Sequence, residues 1–226
     1  MSNKLVSFAI TAYNEAEYLD NLLSYIYTYF DEYYEDGKYE VIVQLDSEKA
    51  TDDVRSITNK HRQIFGEKKY AFICEDEQFD KNFAQFKNCL NHKCSGNWIF
   101  NIDADEIPSA ELMRDISDIL IQNQYADVIA IPRKNYVDGI TQDDILKWGW
   151  KIDESNLINW PDYQMRIYKN TSKIYWTGNV HERLIGHSTI TAFPHEKHNA
   201  IYFLNHVKNI ERQREQNKLY EVLSVV

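Results

Sequence analysis

The strongest constraint on the fold is a repeated alternation of short apolar runs and amphipathic segments over residues 1–132. The apolar runs are typical of buried strands in a parallel sheet, and the amphipathic segments repeat their apolar residues at helical spacing. This order predicts an α/β fold with a mostly parallel central sheet and helices on both faces. We predict strands over residues 5–10, 39–45, 70–74, 98–102 and 128–131, the last stopped by Pro132, and helices over residues 14–30, 51–65, 81–94 and 109–120.

Residues 133–226 do not continue this alternation. We expect two strands there, over residues 164–169 and 201–204, no clear helix before residue 206, and a closing helix over residues 208–222. The whole chain, 1–226, is expected to be one domain whose smaller, mixed C-terminal region shapes a second pocket. That region also holds four of the five tryptophans, Trp148, Trp150, Trp160 and Trp176.

Composition excludes some classes of function. A formal net charge of −10 argues against general nucleic-acid binding, which needs a basic surface. The first apolar run is too short for a signal peptide, and no run reaches the roughly 20 apolar residues of a membrane span, so we expect a cytoplasmic protein. Three cysteines without zinc-site spacing are expected to be reduced thiols, and the oligomeric state is left open. The last helix has four cations that suit either peripheral contact with the inner membrane face or a solvated surface, namely Lys208, Arg212, Arg214 and Lys218.

Polar side chains follow three of the predicted strands at the point where each strand ends. Asp103 and Asp105 end the fourth strand, and at positions i and i+2 they point to the same side. Residues 11–15 follow the first strand, and Asp46 follows the second. Ligands of open α/β sheets bind at this edge, and paired carboxylates suit Mg²⁺ or Mn²⁺ carrying phosphate. We therefore predict a site for a nucleoside diphosphate and a metal in residues 1–132.

Local structure offers another explanation for some of these residues. Asn14, Thr51 and Ser109 are expected to be helix caps, and Asp46 could start an Asx-turn. We favour the capping role for the first three and a binding role for Asp46. A phosphatase of the haloacid-dehalogenase type would carry its Asp-x-Asp on the first strand, and a sugar-1-phosphate nucleotidyltransferase would have a Gly-rich, Arg-containing loop after that strand. Neither pattern is present.

Several segments together resemble the family 2, GT-A-type glycosyltransferases. They are residues 6–15, Asp46-Ser47 with Thr51-Asp52, Lys87-Asn88 and residues 96–106. Residues 132–135, 161–168 and 180–182 resemble the subgroup of lipopolysaccharide-core glucosyltransferases more loosely. The resemblance implies a GT-A (Rossmann-like) fold and the transfer of a hexose, with inversion, from a nucleotide-diphosphate sugar to a hydroxyl of a glycan or glycolipid. It also implies Mn²⁺ or Mg²⁺ as cofactor, a donor that is preferably a UDP-sugar, and a place in polysaccharide biosynthesis.

The same resemblance assigns residues to the donor. Lys87 would approach the base or phosphate, Asp103 would lie near the ribose and metal, and Asp105 would coordinate the metal. The loop after Asp46 is one residue longer than is usual, and Lys87 stands where arginine is common. The remaining donor-binding residues would be Thr11, Ala12, Tyr13, Glu15, Asp46 and Ala104. Relatives often place a metal-binding histidine at the position of His206, although a capping or core role is equally open, and the other candidates are His181, His187, His195 and His198.

The chemistry of glycosyl transfer sets further requirements. A carboxylate must take the proton of the acceptor hydroxyl, and a cation must stabilise the departing diphosphate. Glu182 is the candidate base and Asp162 the reserve; alternatively, Glu182 pairs with Arg183 or Arg166. Trp148 and Trp150 would stack on sugar rings or fill a core, and we expect Arg166 and His181 beside the acceptor as well. The alternative function is a nucleotide-sugar-binding protein that has lost catalysis.

Overall fold

The alternating strands and helices are confirmed by the structure, a computed structural model that describes residues 4–196 and 199–224. The strands are β1 (Val6–Ala12), β2 (Tyr39–Asp46), β3 (Ala71–Glu77), β4 (Trp98–Asp103), β5 (Glu106–Pro108), β6 (Val128–Asp138), β7 (Tyr163–Lys169), β8 (Tyr175–Thr177), β9 (Arg183–Ile185), β10 (Ile190–Ala192) and β11 (Leu204–Asn209). The helices are α1 (Ala16–Glu32), α2 (Asp52–Glu67), α3 (Phe83–Lys93), α4 (Ala110–Gln122), α5 (Gln142–Trp148) and α6 (Ile210–Ser224).

The central sheet is mixed, with more parallel than antiparallel pairings. Its order is β3-β2-β1-β4-β7-β6-β11-β5, and β10 pairs with the first part of β6. The strands β1 to β4 are mutually parallel, as predicted. Strand β7 then enters antiparallel between β4 and β6, and β5 closes the edge antiparallel to β11. A second, two-stranded sheet consists of β8 and β9.

Alternate residues of β1 pack on opposite faces of the sheet, which confirms the prediction of helices on both faces. Phe8 and Ile10 belong to a core cluster that includes apolar residues of α1, α2 and α4. Ala9 belongs to a second cluster, with Leu90 of α3 and Trp176. Fully burying one large apolar side chain contributes about 1.5–3 kcal/mol, so the packing on both faces stabilises the sheet.

Three local expectations were wrong. Strand β6 continues through Pro132 because this residue lies between the segment paired with β10 and the segment paired with β11, where that side of the strand needs no donor. Helix α5 forms in the region expected to lack one, with Thr141 and Asp144 making a capping box. The last strand spans Leu204–Asn209 and not residues 201–204. The predicted closing helix is present and begins at Ile210.

Helix caps at two of the three predicted positions are confirmed. The Thr51 hydroxyl accepts from Val54 N at 3.3 Å, and the Ser109 hydroxyl accepts from Leu112 N at the same distance. Asn14 does not cap α1, which begins after Glu15. Because β1 pairs in parallel with both β2 and β4, the carboxyl ends of these three strands lie at one edge of the sheet. Among residues 4–196 and 199–224, no helix combines the length and apolarity needed to cross a membrane.

Candidate active site

A cleft of about 750 Å³ opens at the carboxyl edge of β1, β2 and β4. It collects residues from both halves of the chain, and α6 forms one of its walls. The predicted site residues that line it are Thr11, Ala12, Tyr13, Glu15, Asp46, Lys87, Asp103, Ala104, Asp105, Trp150, Asp162, His181, Glu182 and His206. Two predicted acceptor residues, Trp148 and Arg166, do not line it.

The Asp103 carboxylate is paired with two basic side chains. It pairs with the buried guanidinium of Arg166, and its Oδ1 lies 3.2 Å from Lys87 Nζ. Arg166 also binds Glu106, which is fully buried, at 2.7 Å. Burial raises the pKa of Asp103, but the charges of Arg166 and Lys87 outweigh it and hold the pKa well below its usual value. Arg166 therefore holds the Asp103 carboxylate in place. The alternative in which Arg166 pairs with Glu182 is wrong, because Glu182 pairs with Lys87.

Asp105 faces three basic groups contributed by β11 and α6. Its Oδ2 lies 3.3 Å from Lys208 Nζ, 3.5 Å from the Arg212 guanidinium and 3.6 Å from His206 Nε2. Burial disfavours the charged carboxylate, yet the contacts with His206 and Lys208 hold the pKa of Asp105 far below its ordinary value. Burial lowers the pKa of His206, which favours the neutral imidazole.

Asp105 and His206 are donor types that suit a divalent cation, and Lys208 and Arg212 contact the same Asp105 oxygen. A carboxylate oxygen and a neutral imidazole nitrogen face each other beyond hydrogen-bond distance on the wall of the cleft. Within residues 4–196 and 199–224, no group of three or more His, Cys, Asp or Glu side chains gathers as a closed metal site. This arrangement agrees with ions such as Mg²⁺, which take one or two protein ligands and fill the other positions with phosphate and water. Asp103, also predicted to bind the metal, is instead engaged by Arg166 and Lys87.

Glu182 and Asp162, the two candidate bases, differ in how far they are engaged. Glu182 Oε1 lies 2.7 Å from Lys87 Nζ, so its partner is neither Arg183 nor Arg166. Asp162 accepts hydrogen bonds from Arg133 at 2.9 Å, Asn135 at 2.6 Å and Gln164 at 3.0 Å. Burial raises the pKa of Glu182, but Lys87 outweighs it and the pKa lies below its ordinary value.

The residues after β1 and β2 are held by their own turns. Asp46 Oδ1 accepts from Glu48 N at 3.0 Å and Lys49 N at 3.2 Å, so the Asx-turn is present in a residue that also lines the cleft. Glu15 Oε2 accepts from Tyr13 N at 2.9 Å, and its Oε1 binds Arg212 at 3.0 Å. The loop of residues 11–15 is thereby tied to α6 across the cleft.

The sequence did not identify the aromatic wall of the cleft. It is formed by Phe79, Phe83, Phe86 and Tyr220. The Phe83 and Tyr220 ring centroids are 5.9 Å apart, and Tyr220 also contacts His181 at 5.3 Å. Phe83 and Phe86 lie on one face of α3 at positions i and i+3, whereas Phe79 belongs to the loop before the helix, so no helical spacing in the sequence indicated this wall.

The other tryptophan and histidine candidates differ in their positions relative to the cleft. Trp176 is in the core with Tyr168, whereas Trp150 contacts Trp148 and lines the cleft. His187 Nε2 lies 3.1 Å from Leu184 O, and His195 contacts Tyr163. His198 lies outside the described residues.

The family model described as glycosyl transferase family 2 matches residues 7–183, most of the chain. This chain belongs to glycosyl transferase family 2. The match includes the segments carrying Asp46, Lys87, Asp103, Asp105 and Glu182 and ends before His206. The α/β architecture is accordingly that of a GT-A, Rossmann-like glycosyltransferase. No curated protein matches the sequence.

Solved structures with a similar fold include those of S. aureus TarS. TarS 1–349 in complex with UDP-GlcNAc has a TM-score of 0.59 and 17% identity, over 90% of this chain and 58% of that one. TarS 1–349 in complex with UDP also has a TM-score of 0.59 and 17% identity, over 97% of this chain and 65% of that one. This chain thus spans less than two thirds of the length of either TarS chain.

Proposed function

We propose that this protein transfers a hexose from a nucleotide-diphosphate sugar to a hydroxyl of a glycan or glycolipid, with inversion at the transferred carbon. The observation that carries the proposal is the single cleft in which Asp103, Asp105 and Glu182 meet at the carboxyl edge of a family 2 chain. The resemblance of the second half to lipopolysaccharide-core glucosyltransferases supports a role in polysaccharide biosynthesis. A cytoplasmic location, peripheral to the membrane or not, stays a prediction.

The donor is proposed to bind the half of the cleft formed by residues 1–132. The nucleoside would lie against the turns after β1 and β2, with Thr11, Tyr13 and Asp46 around it. The TarS complexes with UDP and UDP-GlcNAc support a uracil nucleotide over other bases. The acceptor would then bind between Trp150 and His181, on the side contributed by residues 133–226.

Asp105 and His206 are proposed to hold Mn²⁺ or Mg²⁺. When bound, the cation would neutralise the charge that develops on the departing diphosphate. Lys208 and Arg212 supply fixed positive charge on the same wall, and Lys208 is buried, so this charge acts where solvent screens it little. Asp103, held by Arg166, is available to accept from a ribose hydroxyl.

Glu182 is proposed to take the proton from the acceptor hydroxyl. Its carboxylate is paired with Lys87 through Oε1, whereas the Asp162 carboxylate already accepts hydrogen bonds from three side chains. The low pKa of Glu182 keeps it ionised, which a base needs before it can accept a proton. We expect Glu182→Gln to abolish transfer while leaving donor binding unchanged; full activity in this variant would refute the assignment.

The donor site is tested by thermal-shift titration with UDP, GDP, CDP and dTDP, each with and without Mn²⁺. A ligand that binds only the folded protein raises the melting temperature by mass action. We expect UDP with Mn²⁺ to stabilise the wild type and to lose most of this effect in Asp105→Asn. Asp118→Asn, the same change on the exposed surface of α4, is the matched control and should behave as wild type. No shift with any nucleotide would contradict the proposed function.

A nucleotide-sugar-binding protein without catalysis is the second candidate. The ion pair between Lys87 and Glu182 favours it, because a carboxylate neutralised by a lysine is a weaker base. Under this alternative, UDP would bind and raise the melting temperature, but neither transfer nor hydrolysis of a UDP-sugar would be detected with any acceptor. Release of UDP that depends on Glu182 would exclude it.

A further inference from the structure

A chain of two hydrogen bonds leads from Asp162 to His206. Asn135 Nδ2 donates to Asp162 Oδ2 at 2.6 Å, and Asn135 Oδ1 lies 2.7 Å from His206 Nδ1. A carboxylate can only accept, so the amide nitrogen of Asn135 has to face Asp162. The backbone carbonyl of Ile158, at 3.4 Å from the same nitrogen, is likewise an acceptor. The amide oxygen must therefore face the histidine.

This orientation selects the tautomer of His206. Because an amide oxygen can only accept, the imidazole proton has to lie on Nδ1. The other nitrogen, Nε2, then presents its lone pair toward Asp105 Oδ2, 3.6 Å away. In the opposite tautomer, Nε2–H would donate to Asp105, and the two groups would satisfy each other.

The fold fixes the positions of the residues that form these two hydrogen bonds. His206 and Asn135 are directly paired residues of β11 and β6. Asn135 also bridges to Ile158, and Asp162 is fixed by Arg133, whose guanidinium lies 2.8 Å from Asp162 Oδ2. These contacts hold Asn135 and Asp162 in the positions from which they form the two hydrogen bonds.

We infer that Asn135 and Asp162 are positioning residues, which hold His206 in the tautomer whose Nε2 takes a divalent cation beside Asp105. Metal-bound histidines commonly donate their other nitrogen to such a partner, and loss of the partner typically weakens metal binding by 10- to 100-fold. The inference rests on the metal site of the proposed function. It also gives Asp162 a purpose other than that of a base.

The first test reads the tautomer itself. Long-range nitrogen–proton NMR correlations on the metal-free wild-type protein report which ring nitrogen of His206 carries the proton. We expect it on Nδ1. In Asp162→Leu, the Asn135 nitrogen loses this acceptor, Asn135 can turn its nitrogen to the histidine, and the proton moves to Nε2. A wild-type proton on Nε2 would overturn the inference, whatever the variants do.

The second test measures cation affinity by electron paramagnetic resonance of Mn²⁺, alone and with UDP. We expect Asn135→Leu and Asp162→Leu to weaken Mn²⁺ binding by roughly tenfold or more, although neither removes a metal ligand. The matched control is Gln164→Leu, which removes a hydrogen bond to Asp162 Oδ1 and leaves Oδ2 on Asn135. It should keep the wild-type affinity and tautomer.

The outcomes separate this inference from the proposed function. Unchanged Mn²⁺ affinity in folded Asn135→Leu, or no Mn²⁺ binding by the wild type, overturns the role of Asn135 and Asp162. In either case UDP binding and sugar transfer by the wild type would leave the glycosyltransferase proposal standing. Loss of UDP binding in the wild type would instead contradict the proposed function itself.

Discussion

Lys87 contacts acidic residues from both halves of the chain, Asp103 and Glu182. Its ammonium lies 2.7 Å from Glu182 and 3.2 Å from Asp103, and it contacts the Trp176 ring at 4.9 Å from the centroid. The sequence placed Lys87 beside the nucleotide base or phosphate. Its ion pair with Glu182, the proposed base, lowers the pKa of that carboxyl group.

Replacing Lys87 by methionine should therefore shift the pH dependence of transfer. Without the ammonium, burial and the negative charge of Asp103 both raise the pKa of Glu182. The base must be deprotonated to act, so the acidic limb of kcat/KM should move to higher pH in Lys87→Met. Lys49→Met removes another cation of the cleft that does not pair with Glu182 and should leave the limb in place. An unmoved limb in Lys87→Met would argue against Glu182 as the base.

Arg166 illustrates a buried charge whose role is structural support. It pairs with Asp103 and Glu106 and lies 3.3 Å from Asn101 Oδ1. Arg166→Met leaves a fully buried carboxylate with one cation fewer, and breaking such a network typically costs 3–5 kcal/mol. Urea unfolding should show this loss. Arg114→Met, which removes an exposed pair with Asp115, should leave the free energy of unfolding close to that of the wild type.

At the scale of elements, the turn after β9 depends on glycine for two separate reasons. Gly186 has φ +85°, and a Cβ there would lie 1.7 Å from the backbone oxygen of Lys173. Gly37 has a similar φ, +77°, but nothing lies within 4 Å of its Cβ position. The pair therefore separates backbone strain from steric overlap.

Alanine at these two glycines should have unequal effects on the free energy of unfolding. Gly37→Ala should cost about 1–2 kcal/mol, the price of a left-handed conformation. Gly186→Ala should cost a further ~1–3 kcal/mol, because the β8–β9 sheet must move to relieve the overlap. Equal losses in denaturant melts would show that the turn adapts without moving β8.

The sequence predicts an element well when the interactions that form it are local in sequence. The strands β1 to β4 and the caps Thr51 and Ser109 rest on local patterns. Strand β7 was predicted over residues 164–169, but its place between β4 and β6 depends on pairing between residues far apart in sequence. Strand β5 is only three residues long, so no periodicity predicts it. The same limit applies to the site: the run ending in Asp105 was visible, but its contacts with Lys208 and Arg212 required the folded chain.

At the scale of the whole molecule, the chain combines a net charge of −10 with a cleft in which acids and bases are closely paired. Asp103 and Asp105 both have pKa values far below that of an unfolded aspartate, about 3.9. For a carboxyl group with a depressed pKa, the folded state is favoured by ionisation. The stabilisation is complete above the unfolded pKa and is lost as the pH falls toward the folded one.

Stability should therefore decline on acidification, and Asp105 should account for part of the slope. Urea unfolding of the wild type between about pH 7 and pH 3 should show a falling free energy of unfolding below about pH 5. Asp105→Asn cannot ionise at this position, so it should be less stable than wild type at neutral pH and lose less on acidification. Asp118→Asn, on the exposed face of α4, should follow the wild-type curve. Parallel curves for Asp105→Asn and the wild type would mean that Lys208 and Arg212 stabilise the ionised carboxylate no better than water does.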